Sequence, residues 1–244
     1  MTTKVDNEIA HGRYLAAHGA TELWGWGTPA GERRATRRAA LIAEGSRLGP
    51  ETRALEVGCG TGLFTGLFAE SGARIIAVDI SEELLEQARA RTYPGDRVAF
   101  LEARFEDCHE RGPFDAIVGS SVLHHLDIEP ALRRMYELLV PGGRICFAEP
   151  NYLNPQVFIE RRFRRFFPQV SPDETAFVRW TLGRLLTDTG FEDVHIRPFD
   201  WLHPATPSGW IDLVSRIGLG LEKIPLVKEF SGSLLIQARR QGQE

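Results

Sequence analysis

The chain is poor in the features that would place it in a membrane, outside the cell or on nucleic acid. No apolar run approaches the length needed to cross a bilayer, and the opening residues Met1-Thr2-Thr3-Lys4-Val5-Asp6-Asn7-Glu8 hold no apolar signal core. Cysteine is scarce: Cys59, Cys108 and Cys146 lie far apart, with neither a disulfide-like nor a metal-like spacing. Reduced thiols in a cytoplasmic protein are the economical expectation, and no bound metal is expected. Neither sign of charge dominates. The net charge is −4 with histidines neutral, and no broad basic stripe invites nucleic acid. Internal repeats and low-complexity tracts are also missing. What remains is a chain of 244 residues, suited to a single domain with a full core.

The chain is organised around Ala54-Leu55-Glu56-Val57-Gly58-Cys59-Gly60-Thr61-Gly62. Apolar residues lead in, glycines alternate through it, and an apolar helical pattern (Leu63, Phe64, Leu67, Phe68) follows, which reads as strand, tight turn and helix. Glycine permits positive φ and lets a ligand come close to the main chain, and the following helix begins with free N–H groups that suit polar or anionic ligand atoms. The dinucleotide fingerprint is G-x-G-x-x-G. Here Leu63 stands where its third glycine would fall, and Glu56 ends an otherwise apolar strand. A carboxylate in that setting needs a cation or hydrogen-bond donors.

The run Ala73-Arg74-Ile75-Ile76-Ala77-Val78-Asp79-Ile80 has the apolar, β-branched character of a buried parallel strand. Asp79 falls near the distance from the first glycine at which a carboxylate bonds a ribose. Its alternative role is to cap the next helix, but Ser81 can already do so.

These two stretches, with Phe114-Asp115-Ala116-Ile117-Val118-Gly119-Ser120-Ser121-Val122-Leu123-His124-His125-Leu126 and Leu139-Val140-Pro141-Gly142-Gly143-Arg144, resemble the class I S-adenosylmethionine-dependent methyltransferases in order and spacing. The resemblance covers roughly residues 50 to 150. It implies an α/β fold: a Rossmann-like, seven-stranded, mostly parallel sheet with helices on both faces and an antiparallel last strand. It implies S-adenosylmethionine as cofactor. Gly58, Cys59, Gly60 and Gly62 would lie along the cofactor, Glu56 would serve its ammonium directly or through water, Asp79 its ribose hydroxyls, and Ile80 its adenine. Ser120 and Ser121 would sit beside the methionyl part. The family often carries an acid next to the third strand that binds the adenine amino group. Here the aligned residues are Ala103-Arg104-Phe105, and Arg104 cannot accept a hydrogen bond. Backbone groups, Glu106 or Asp107 are the substitutes, with Phe105 adding apolar contact.

Strands are expected at about 53–58, 74–79, 98–101, 115–118, 145–148, 193–199 and 233–238. Between them, Ser81 starts one helix, Pro130 opens another that runs through Leu138 to the Pro141-Gly142-Gly143 break, and Ser171-Pro172-Asp173-Glu174 matches a capping box for a helix ending at Thr189, before Gly190. The whole chain, 1–244, is expected as one methyltransferase domain: an N-terminal helical arm or lid over 1–48, a cofactor-binding core over 49–151, a helical substrate-cover insertion after strand five over 152–190, and C-terminal strands and helix over 191–244.

Within the arm, large aromatics among glycines suggest a segment that closes over something, with Tyr14 and Trp24 as candidates to shield a sulfonium. The helix over 32–48 carries Arg33, Arg34, Arg37 and Arg38, read as a solvated basic face. In 152–170, phenylalanines interleave with Arg161, Arg162, Arg164 and Arg165, read as solvated or substrate-facing in preference to membrane-bound.

Methyl transfer from a sulfonium requires mainly alignment and exclusion of water, and a base only where the nucleophile arrives protonated. His124 and His125 are the base candidates, and Glu149 and Tyr152 are weaker ones facing the same space. The expected partner is a small-molecule acceptor, without nucleic acid and without stable membrane association. An NAD-dependent oxidoreductase and a non-catalytic cofactor binder are the alternatives.

Overall fold

The computed structural model describes residues 4–108, 112–167 and 175–242. Helices α1 (Lys4–His18), α2 (Ala20–Leu23) and α3 (Pro29–Ser46) precede the sheet. Strand β1 (Arg53–Val57), α4 (Leu63–Ala69), β2 (Arg74–Asp79), α5 (Glu82–Arg89) and β3 (Val98–Glu102) form the first half. Strand β4 (Phe114–Ser120), α6 (Ile128–Leu138), β5 (Leu139–Pro150), α7 (Pro155–Arg162), α8 (Arg179–Thr189), β6 (Phe191–Phe199), α9 (Ile211–Leu221) and β7 (Ser233–Arg240) complete it.

The seven strands order as β3-β2-β1-β4-β5-β7-β6, with β7 antiparallel to both neighbours and the rest parallel. The chain runs outward from β1 to β3, then returns to place β4 on the other side of β1. That reversal opens a crevice at the carboxyl ends of β1 and β4, where open parallel sheets bind ligands.

Alternation along the strands divides the core between the two faces. Leu55, Ile117 and Phe147 pack with Leu132 and Met135 of α6, while Ala54, Ala116 and Val118 face Ile42 of α3 and Phe68 of α4. Thr28 caps α3 by accepting from Gly31 N, with Pro29 in its first turn, and Ser81 caps α5 through Leu84 N.

All seven expected strands form: β2 keeps its bounds, β1 ends one residue early, the other five run longer, and several other boundaries move. The glycine-containing arm is not loose: α1 packs on α5 through Leu15 and Leu84, and Arg13 pairs with Glu83 at 2.8 Å. Helix α6 starts at Ile128, ahead of Pro130. Strand β5 starts at Leu139, because Leu139 pairs with Phe114 and the Pro141-Gly142-Gly143 stretch is absorbed as a register shift before Arg144. Helix α8 starts at Arg179, since Phe177 is bridged to Asn151, although it ends before Gly190 (φ 103°) as expected. The capping box at 171–174 lies outside the described residues. Among the described residues, no helix is long and apolar enough to cross a membrane.

Candidate active site

A cavity of about 1000 Å³ opens over the carboxyl ends of β1, β2 and β4. Val57 to Thr61, Asp79, Ile80, Ser120 and Ser121 form its floor. Leu15 from α1, Trp24 and Trp26 from the turn between α2 and α3, and Val157 from α7 close its sides. The arm and the segment after β5 therefore meet over one space.

The glycine turn is held by its own amides. Gly58 N and Cys59 N donate to Val78 O at 2.8 and 3.1 Å, and Gly60 N donates to Asp79 Oδ2 at 2.7 Å. Asp79 Oδ1 accepts from Ser81 N at 2.9 Å, so one carboxylate ties the turn to the start of α5. Gly58, Gly60 and Gly62 all have positive φ (67°, 51° and 74°). A Cβ on Gly58 would overlap Val122, one on Gly62 would overlap Tyr93, and one on Gly60 would come within 3.1 Å of the Trp24 ring. The positive φ is the one expected from sequence, and protein packing adds a second demand for these glycines beside the ligand approach. The cavity still runs along the main chain from Val57 to Thr61, while Gly62 stands off its wall.

Glu56 lies beneath this floor, 1% exposed and not on the cavity wall. Burial pushes its carboxyl up to about 8, the nearby Asp79 charge adds to this, and the Thr65 hydroxyl offsets only part. Its Oε2 has no hydrogen-bond partner among the described residues. Burial also raises Asp79, against the pull of its backbone donors, and raises the Cys59 thiol well above its ordinary value, so Cys59 is an apolar wall residue and no nucleophile.

On the opposite wall, His124 is 2% exposed and its Nδ1 lies 2.6 Å from Glu149 Oε2. The other oxygen, Glu149 Oε1, accepts from Val122 N and Leu123 N at 2.8 and 2.9 Å. The His124 pair and these amides hold the Glu149 carboxyl below its ordinary value despite complete burial. A carboxylate at Nδ1 fixes the proton there and directs the basicity of the ring to Nε2. His125 points differently: its Nδ1 lies 2.8 Å from Glu8 Oε2, on α1.

The expected substrate-facing set divides. Trp24 lines the cavity against the glycine turn. Glu149 does not face it, being consumed behind His124. Tyr14 stacks on His18 with ring centroids 4.3 Å apart, and Tyr152 turns outward with its ring edge against Phe158 at 5.5 Å, so neither is on the wall. Arg104 reaches Glu106 and Asp107 at 3.3 Å each while Phe105 is buried, and all but Asp107 line the cavity.

The basic face of α3 is not solvated. Arg37 makes a two-pronged pair with Glu222 at 2.8 and 2.6 Å, Arg34 bonds Asp200 at 2.9 Å, and only Arg33 of the four is left exposed, beside Asp212. Arg38 is 3% exposed and lines the cavity. It donates to Ser121 Oγ at 2.9 Å, Ser120 Oγ at 3.3 Å and Ser233 Oγ, and lies over the Trp26 and Phe199 rings at 5.3 and 5.7 Å. Burial lowers its pKa to about 10, so it stays charged, and its Nε has no hydrogen-bond partner among the described residues. Ser121, one of its acceptors, is held at φ 57°, a costly conformation for a non-glycine residue and one that collects at functional sites. Arg38 was legible in principle: it falls within the apolar stripe Ala35, Ala39, Ile42 and not opposite it.

The profile of a family described as "Methyltransferase domain" matches residues 54–143. A demethylmenaquinone methyltransferase of Clavibacter sepedonicus is 34% identical over 165 residues, covering 66% of this chain and 60% of the relative. Residues 54–143 belong to the methyltransferase-domain family. A ubiquinone biosynthesis O-methyltransferase of Xanthomonas axonopodis pv. citri is 34% identical over 111 residues, 43% of this chain and 46% of that one. The chain thus spans roughly half of the length of these curated relatives. The crystal structure of the N-methyltransferase NodS from Bradyrhizobium japonicum, in complex with S-adenosyl-l-homocysteine, superposes with a TM-score of 0.65 at 19% identity, over 96% of this chain and 99% of that one, a likeness of fold.

The cofactor of this family fits the residues present. A zwitterionic amino acid joined to a ribose needs an anion, a cation and a diol acceptor. The buried guanidinium of Arg38 and the part-buried Asp79, both on the cavity wall, supply the cation and the diol acceptor, and the orphaned buried carboxylate oxygen of Glu56 lies beneath the turn.

Proposed function

We propose that this chain transfers a methyl group from S-adenosylmethionine to a small-molecule acceptor by in-line displacement. The observation that carries the reading is the pair of Glu149 with the cavity-lining His124, set across the cavity from the glycine turn and Asp79. In this reading Asp79 holds the ribose hydroxyls, Arg38 the methionyl carboxylate, and Glu56 the ammonium, across the thin floor of the turn. Ile80 and Phe105 pack the adenine. When bound, the cofactor supplies a methyl group already activated by positive sulfur. The protein's share is alignment and dryness: Trp24 and Trp26 wall off solvent, and the buried floor keeps water from competing with the acceptor.

His124 takes the acceptor's proton at Nε2, while Glu149 keeps the opposite nitrogen protonated and stabilises the imidazolium that results. Glu149 is a positioning residue. The names of the relatives, a demethylmenaquinone methyltransferase and an O-methyltransferase of ubiquinone biosynthesis among them, support a small acceptor. Cytoplasmic residence completes the reading. Calorimetric titration with S-adenosylmethionine tests it directly: saturable binding is expected, and no heat at millimolar cofactor ends it. Incubation with a panel of phenols, quinols and amines, read by mass for one added methylene, tests turnover.

A further inference from the structure

Helix α7 and the turn after it stand apart from the core. The helix buries none of its residues. Phe158, Ile159, Phe163 and Phe166 are 44%, 47%, 47% and 64% exposed. Single exposed apolar residues are ordinary, but four within nine consecutive positions are a concentration of the kind that marks an interaction surface. Arginines are set among them. Over 155–166 the chain carries Arg161, Arg162, Arg164 and Arg165 against Glu160 alone. The Arg162 guanidinium lies 5.5 Å from the Phe163 ring and the Arg165 guanidinium 4.6 Å from the Phe166 ring, so cations and apolar rings share one face.

We propose that segment 155–166 docks this protein reversibly on anionic lipid surfaces. The Arg162 and Arg165 guanidinium groups meet headgroup phosphates, and the four apolar side chains enter the boundary between headgroups and acyl chains, as interfacial amphipathic segments do. Charge selects this occupant over a second copy of the chain, because two such faces in contact would oppose the Arg162 and Arg165 guanidinium groups of each copy. A solvated basic face, the reading from sequence, leaves the four exposed apolar side chains without a role. The segment is also anchored for the task. Asn154 caps α7 and donates through Nδ2 to Phe230 O at 2.8 Å, fixing the helix to the protein body. The same helix lines the cavity through Val157, Glu160 and Arg161, so docking brings the mouth of the cavity to the lipid surface, where an acceptor with an apolar tail is presented.

The test is co-sedimentation of the full chain with phosphatidylcholine vesicles, with and without phosphatidylglycerol, at low and high salt. Binding is expected only with the anionic lipid, and is lost in high salt. Arg162→Ser with Arg165→Ser should weaken binding roughly fivefold per charge, and Phe163→Ser with Phe166→Ser should reduce it further. None of these residues lines the cavity, so cofactor binding and melting temperature serve as controls that the variants are folded. Failure to sediment with anionic vesicles, or equal binding by wild type and variants, overturns the proposal. So does binding to soluble polyglutamate but not to vesicles, which would reassign the face to an acidic polypeptide. Cofactor titration is read separately, so loss of vesicle binding leaves the methyltransferase reading standing.

Discussion

Glu56 should make the protein less stable as the pH rises from acid to neutral, and should make cofactor binding release a proton. Its folded-state pKa is about 8 against 4.5 for the free group. Below pH 4.5 both the folded and unfolded chains carry this proton. Between the two values the folded protein keeps it while the unfolded chain gives it up, so the folded state binds more protons and stability falls with rising pH until the window closes near 8. The full window is worth about 5 kcal/mol at most. Urea denaturation of the unliganded protein at intervals across the window measures it. Glu56→Gln removes the titration, and the stability difference between variant and wild type should move in the variant's favour by several kcal/mol from the acid end to the alkaline end. A difference that stays constant with pH refutes the reasoning. At pH 7 a group with this pKa is about nine-tenths protonated. If an ammonium docks against it the proton leaves, so calorimetric enthalpies measured in buffers of different ionisation heat should report close to one proton released, and none in Glu56→Gln.

His124→Gln should lower turnover about 10²- to 10⁴-fold with cofactor affinity unchanged; undiminished turnover in a mass-based assay removes His124 as the base. Arg38→Met should weaken cofactor binding roughly 10- to 100-fold, the worth of one charge-assisted contact, and Arg38→Lys should not restore it, because a single ammonium cannot reach three hydroxyls in Arg38's planar fork; calorimetry decides. Gly58→Ala places a methyl into Val122 at φ 67° and should cost about 1–3 kcal/mol in urea unfolding, with a variant of wild-type stability refuting the packing account.

The fold was readable because each strand of the sheet carries its own mark. Ile75-Ile76-Ala77-Val78 is apolar on both faces, as a strand covered on both sides must be, and Gly190 closes α8 where a left-handed residue is required. The cofactor side of the site was readable for the same reason: turn, glycines and Asp79 lie within one local unit. The opposite wall was not. Glu149 reaches His124 only because β5 pairs beside β4, and Tyr14 misses the cavity only because a helix, not a loop, carries it. Asp200, 162 positions from Arg38, gave no local sign of the pairing that holds the α3 arginines inward. Charge runs are usually wet; Arg38 is the exception, since its partners arrive from three later segments.

Those partners set an order of events in the making of the protein. The chamber is bounded by Lys4 at the start of α1 and by Ser233 at the start of β7. A ribosome-bound fragment, however much of the sheet it has already formed, therefore lacks a complete pocket until the closing strand has emerged. Cofactor in the cell cannot steady the early fragments by mass action. It rewards only the finished molecule, and the guanidinium of Arg38 must stay hydrated until the last hydroxyl comes to meet it.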